Sequence, residues 1–190
     1  MIILYIFNMK NIILLVLLTS LSLITGCENR RISHDVQQLV GSKIEFPQSL
    51  RQVAGRETRS FSVDAEKAHV LVYYDSMACG TCAINKLSEW DYIIDSMADI
   101  CPAVDFIFLM SPKNNEYKSV LRTTIINNAD YNVVLDAKGG FAALNQQIPQ
   151  DERFHTLLLD KNGKVLVVGS PLYNDTMWKL YKDVIQDMCR

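Results

Sequence analysis

Two cysteines separated by two residues, Cys79-Gly80-Thr81-Cys82, are the stretch of this 190-residue chain best equipped for chemistry. A thiolate is a nucleophile and a soft metal ligand. A second sulfur within one helical turn can close a disulfide, resolve a mixed disulfide, or join the first as a ligand. Three readings are therefore open: a redox pair, half of a metal site, or a structural staple. Three further cysteines (Cys27, Cys101, Cys189) and three histidines (His34, His69, His155) complete the set of soft ligands. His34 falls in a polar segment and His69 at the start of a strand, and neither carries a signal. Asp75 and Asp95 read as solvated loop and helix-face residues rather than a catalytic carboxylate pair.

The elements around the cysteines narrow the choice. His69 to Tyr74, HVLVYY, is a short apolar run rich in β-branched and aromatic residues, the pattern of a buried strand. From Cys82 to Met97, the residues Ile84, Leu87, Trp90, Ile94 and Met97 recur at three-and-four spacing, which predicts one amphipathic helix. The cysteine pair thus sits where a strand turns into a helix. Unpaired N–H groups and the macrodipole at a helix start favour a negative charge. Cys79 is accordingly expected to be the exposed attacking thiolate and Cys82 the more buried resolving thiol. Gly80 permits a partner backbone to approach closely.

The alternation continues downstream. Val104–Met110 reads as a second buried strand and Asn114–Asn128 as a helix with Tyr117, Leu121, Thr124 and Ile125 on one face. YNVVLD gives a third strand, and Gly139-Gly140 opens a short helix, FAALNQQ. HTLLLD and VLVVGS around Lys161-Asn162-Gly163-Lys164 form a hairpin, and Asp175–Met188 closes the chain as a helix presenting Met177, Tyr181, Val184 and Met188. Upstream, VGSKIEFPQSLRQV and RSFSVD look like short extended segments around a turn. The pattern is α/β, with a mainly parallel sheet ending in an antiparallel pair.

The N-terminus is of a different kind. Ile12 to Ile24 is an unbroken run of apolar and small hydroxyl residues, preceded by Lys10 and followed by Thr25-Gly26-Cys27. A positive start, a short apolar core and small residues at a cleavage point describe a secretory signal peptide. Its Thr-Gly-Cys end resembles the lipobox of bacterial lipoproteins, in which Cys27 becomes the lipidated first residue of the mature chain. Met9-Lys10-Asn11 reads as a better start than Met1, whose eight-residue lead adds no positive charge. The expected layout is a signal peptide over 1–26, a polar tether over 27–39 and one domain over 40–190, held at a membrane and facing the periplasm or exterior. A net charge of −2 excludes a basic nucleic-acid surface.

A strand, then CxxC opening a helix, then strand, helix, an Asp-x-x-Gly segment, hairpin and final helix resembles the thioredoxin fold. VVLDAKGGFAALNQQIP followed by LLLDKNGKVL is similar to its membrane-tethered TlpA/ResA-like branch. The resemblance implies a three-layer α/β fold, a central mixed sheet with flanking helices and a C-terminal β-hairpin plus helix. It also implies an extracytoplasmic thiol–disulfide oxidoreductase that exchanges disulfides with partner proteins and trades electrons with a membrane-bound donor or acceptor, without a cofactor. Ala78 stands where the family usually has tryptophan, and Tyr73 where many members have an acidic residue. The family's cis-proline facing the disulfide is either Pro149, with QDERF as an insertion, or is replaced by Phe154 or His155 lying over the sulfurs. Cys79, Cys82 and His155 would make a Cu(I) or zinc site, similar to Sco-type copper chaperones. The alternative for His155 is a hairpin-edge residue bonded to backbone. A redox-inactive interaction module is the third reading. In the resembled fold the helices ending at Cys101 and Cys189 share a face and direction, so these two either form a structural disulfide or remain buried thiols.

Overall fold

Three apolar runs build the centre of a seven-stranded mixed sheet. The computed structural model describes residues 30–127 and 131–189; the expected signal peptide and Cys27 lie outside them. Strands β1 (Arg51–Ala54) and β2 (Glu57–Ser60) form a hairpin. β3 (Ala68–Tyr74), β4 (Val104–Met110) and β5 (Val133–Leu135) run parallel, and β6 (Thr156–Leu159) and β7 (Val165–Val168) are antiparallel. The spatial order is β2-β1-β5-β4-β3-β6-β7, with β3 and β4 in register from Ala68↔Val104 to Tyr74↔Met110. Residues read as a lead-in therefore extend the sheet, because β1 pairs antiparallel with β5 at Arg51↔Leu135 and Gln52↔Val134.

Side chains alternate across the strands, so each strand serves two cores. Val70, Val72, Phe106 and Phe108 face one core; Leu71, Tyr73, Ile107 and Leu109 face the other. The first core is covered by α2 (Gly80–Asn85), α3 (Asp91–Ile100), α4 (Tyr117–Asn127) and α6 (Asp175–Met188), and the second contains Phe141 of α5 (Gly140–Leu144). Each fully buried aliphatic or aromatic side chain contributes about 1.5–3 kcal/mol relative to exposure.

The chain divides at Gln37/Gln38 into two units. The expected polar tether is helical over residues 30–39 (α1), with Arg31 and Asp35 paired one turn apart; Leu39, in the second unit, is fully buried. Among the described residues no helix is long and apolar enough to cross a membrane.

One expected helix is broken. Between Cys82 and Met97 the chain makes α2, a 3₁₀ turn over Leu87–Trp90, and then α3, which runs on to Ile100. The buried residues are Ile84, Leu87, Trp90, Ile93 and Met97. Three successive steps of three suit 3.0 residues per turn better than 3.6; the 3₁₀ turn keeps Leu87 and Trp90 facing the sheet. The phase change also buries Ile93 where Ile94 was expected. In α6 the bounds agree with expectation, but the buried pair is Tyr181 and Ile185, while Met188 is exposed.

Candidate functional site

β3 ends at Tyr74, and the next residue sets the loop that carries the cysteines. The Asp75 carboxylate accepts hydrogen bonds from the backbone N–H groups of Met77 (2.9 Å) and Ala78 (3.1 Å). It is therefore a half-buried brace rather than the solvated loop residue expected from sequence. Cys79 follows as the N-cap of α2, its Sγ accepting from the Cys82 N–H at 3.3 Å. Cys79 and Cys82 form a disulfide with a Cα–Cα distance of 5.2 Å. Both residues are exposed, so the sheltered position expected for Cys82 is not found.

Gly80 has a different role from the one expected. It is buried, and a Cβ placed on it would lie 2.8 Å from Val120 Cγ2. The close approach it permits is that of α4 to α2 within the chain, not that of a partner backbone. Sequence offered no local sign of this, since the contact joins residues in separate helices. Thr81 is half-buried with its Oγ1 3.6 Å from Cys79 Sγ. An open cleft of about 330 Å³ beside the pair is lined by Cys79, Gly80, Thr81, Lys113, Glu116 and Ser119, among others.

On the other flank lies a larger groove of about 580 Å³, reached by Ala78 and Ala83 next to the cysteines and bounded by Tyr74, Trp90, His155 and Leu172. Burial pushes the Tyr74 phenol above its ordinary value, against an opposing pull from the neighbouring Trp90 side chain. Tyr73, six residues before Cys79, packs 4.9 Å from the Phe141 ring and 5.0 Å from that of His155. Burial raises its pKa above 10.0, against an opposing pull from the neighbouring Ser111, so it stays protonated at neutral pH. Ser111 in turn donates to buried Asp136, whose carboxylate also accepts from the Gly140 and Phe141 N–H groups and so caps α5. The sequence reading took Asp136 only as part of an Asp-x-x-Gly segment and gave it no role, though an Asp just before Gly139-Gly140 is a readable capping signal.

The loop opposite the cysteines departs from both expected forms. There is no cis peptide bond among the described residues, so Pro149 is not a cis-proline. QDERF contains a 3₁₀ turn, Glu152–Phe154, started by Asp151, whose carboxylate accepts from the Arg153 N–H at 3.1 Å. Phe154 is buried in the interior rather than lying over the sulfurs. His155 is buried at the start of β6, its Nε2 2.9 Å from the Pro149 carbonyl, and it lines the groove but not the cleft that holds Cys79. The alternative metal set of Cys79, Cys82 and His155 is not assembled: among the described residues no three His, Cys, Asp or Glu side chains are placed to hold a metal ion.

The two other cysteines among the described residues meet at the other end of the sheet. Cys101, buried just after α3, and Cys189, exposed at the end of α6, are disulfide-bonded with Cα atoms 6.0 Å apart.

No protein-family model matches the sequence, and no curated protein is similar to it. Solved structures are similar in shape. A thioredoxin-like protein from Porphyromonas gingivalis shares 16% identity at a TM-score of 0.50, covering 78% of this chain and 94% of that one. A protein from Chlorobium tepidum, provisionally described as the thiol:disulfide interchange protein DsbE, shares 15% at 0.51, covering 77% and 99%. One from Bacteroides vulgatus, provisionally described as a thiol-disulfide oxidoreductase, shares 12% at 0.52, covering 74% and 90%. The chain has the thioredoxin fold. On this version of the thioredoxin fold the CxxC opens a helix of only six residues, and His155, in a trans loop, precedes β6.

Proposed function

We propose that this chain is a lipid-anchored thiol–disulfide oxidoreductase working outside the cytoplasm. The observation that carries the reading is the exposed Cys79–Cys82 disulfide at the start of α2, with the Cys82 N–H directed at Cys79 Sγ. A buried staple would not leave both sulfurs open to a partner, and a backbone donor on one sulfur selects it as the thiolate.

In the reducing direction, the Cys79 thiolate attacks one sulfur of a client disulfide. A Cys79–client bond forms as the client S–S bond breaks, and the second client sulfur leaves as a thiolate that takes a proton from solvent. Cys82, having lost its proton to solvent, then attacks Cys79 Sγ, re-forms the Cys79–Cys82 bond and expels the first client sulfur. Two electrons pass to the client, and the reverse sequence oxidises it. No cofactor takes part. The partners are protein thiols and disulfides, together with a membrane-bound donor or acceptor that returns the pair to its working state. Residues 1–26 serve as a lipoprotein signal peptide, Cys27 carries the lipid, 27–39 is the tether and 40–190 the catalytic domain, in a bacterial periplasm or at the cell exterior.

The full chain purified in detergent is expected to catalyse insulin reduction by dithiothreitol, and Cys79→Ser to abolish it. A wild-type chain no faster than the uncatalysed reaction would sink the proposal. Cys82→Ser strands the mixed disulfide on Cys79 and identifies the client by mass spectrometry.

A further inference from the structure

One buried titratable ring has no part in the redox reading. His69, in β3, is 3% exposed and stands beside Asp105 in the β3–β4 register. Its electrostatic neighbours are Asp105, Asp64 and Lys67, and among the described residues no group is hydrogen-bonded to the ring. A buried imidazole left open in this way is unfavourable unless something outside the protein completes it. The ring lines a cavity of about 410 Å³. His69 and Tyr74 are roughly 17 Å apart along β3, so this cavity lies at the end of the strand away from the cysteines.

Strand register assembles the lining. Arg59↔Gln52 joins β2 to β1, Gln52↔Val134 joins β1 to β5, and His69↔Asp105 joins β3 to β4. Side chains alternate along a strand, so Arg59, Gln52, Asn132, Asp105 and His69 come together on one face of the sheet. The segment before β3 adds Asp64. Mutual bonds fix the middle of this row. Arg59 Nε donates to Gln52 Oε1 at 2.9 Å, and Gln52 Nε2 donates to Asn132 Oδ1 at 2.7 Å. Lys67 Nζ lies 3.0 Å from both Asp105 oxygens and neutralises them.

The bonding capacity left on the lining has a definite chemistry. The terminal guanidinium nitrogens of Arg59 and the amide N–H groups of Asn132 are donors without an acceptor among the described residues. Asp64 takes the Glu66 N–H on Oδ1 at 3.0 Å, which leaves its second oxygen as a charged acceptor. Burial holds the His69 pKa below 6.5, so at neutral pH the ring is neutral and can donate one hydrogen bond and accept another. The lining therefore carries one uncompensated charge of each sign. A lone anion or a lone cation would leave one of the two unmatched, whereas a zwitterion matches both. The volume is within the range of small-ligand sites.

We propose that this cavity is a binding site for a free α-amino acid, its carboxylate held by Arg59 and Asn132, its ammonium by Asp64, and His69 hydrogen-bonded to it. The site is independent of the disulfide chemistry at the other end of β3.

The test uses the full chain in detergent. The common α-amino acids are added one at a time at millimolar concentration and followed by saturation-transfer difference NMR, with glucose, acetate and methylamine as comparison probes. Transfer to at least one amino acid is expected, with tighter binding than any comparison probe shows. Arg59→Met, and Asp64→Asn, which keeps the acceptor for the Glu66 N–H, should each weaken that amino acid roughly ten- to a hundredfold. His69→Phe should weaken it too, and Arg56→Met, on the exposed turn between β1 and β2, should leave it unchanged. No transfer to any amino acid would overturn the site. Glucose or acetate bound as tightly as the best amino acid would overturn its ligand class. An amino acid that binds the Arg59 and Asp64 variants as it binds wild type would be held elsewhere, and the assignment would fall. Arg59 and Asp64 are exposed, so their variants carry the comparison should His69→Phe fail to fold.

Discussion

Cys189→Ala removes the Cys101–Cys189 bridge while leaving the buried partner in place, and its cost follows from the topology. The bridge joins residues 88 positions apart, from the end of α3 to the end of α6. In the chain-entropy treatment a loop of that length restricts the unfolded ensemble by about 4.6 kcal/mol at 25 °C. Measured values more often fall at about 2–4 kcal/mol, because unfolded chains retain structure and the full entropy is not recovered. A loss of 3–4 kcal/mol corresponds to a fall in Tm of roughly 6–16 °C for a domain of this size. The assay is urea unfolding of oxidised wild-type and variant chains, monitored by tryptophan fluorescence and circular dichroism. Because the untied unfolded chain is more expanded, the variant's m value should also rise. Adding a reductant strong enough to open both disulfides should bring wild type down to the variant. A variant within about 1 kcal/mol of oxidised wild type would show that the bridge does not fasten α6, and the reasoning would fail.

Two further outcomes follow from single contacts. Gly80→Ala places a methyl 2.8 Å from Val120 Cγ2 and should cost about 1–3 kcal/mol by overpacking. In the Val120→Ala background the same change should cost far less, and a double-mutant cycle showing simple additivity would count against the contact. His69 is buried in β3, where desolvation lowers its pKa below 6.5 against the opposing pull of Asp105 and Asp64, with Lys67 adding to the lowering. The unfolded chain therefore takes up the proton first. The stability His69 contributes is complete above pH 6.5 and is lost as pH falls from there toward the folded value. His69→Gln should flatten that part of the acid slope in urea midpoints measured from neutral to mildly acid pH; an unchanged slope would remove His69 as its source.

The legibility of the fold tracked the range of the forces involved. β4 and α6 have the bounds expected from sequence, because long apolar runs and a clean amphipathic period are local properties. The CxxC at a strand-to-helix junction was readable for the same reason. The break at Leu87–Trp90 was not, since residues spaced by three fit either a regular helix or a 3₁₀ turn until the sheet beneath selects one. Gly80 was misread because its constraint comes from Val120, forty residues away in sequence. The loop from Pro149 to His155 was approached through a resemblance; its own local signal, Asp151 capping a short turn, was the better guide.

The break has a mechanical consequence. Had α2 and α3 been one rod, opening the bond between Cys79 and Cys82 would have levered a body clamped at its far end to α6 by Cys101. Instead Cys82 rides on a six-residue helix, capped by Cys79 and seated against α4, with Lys86 and the 3₁₀ turn between it and the clamped rod. The pair of the proposed redox function is thereby seated apart from the rod that the Cys101–Cys189 bridge clamps. The two disulfides lie on separate helical segments.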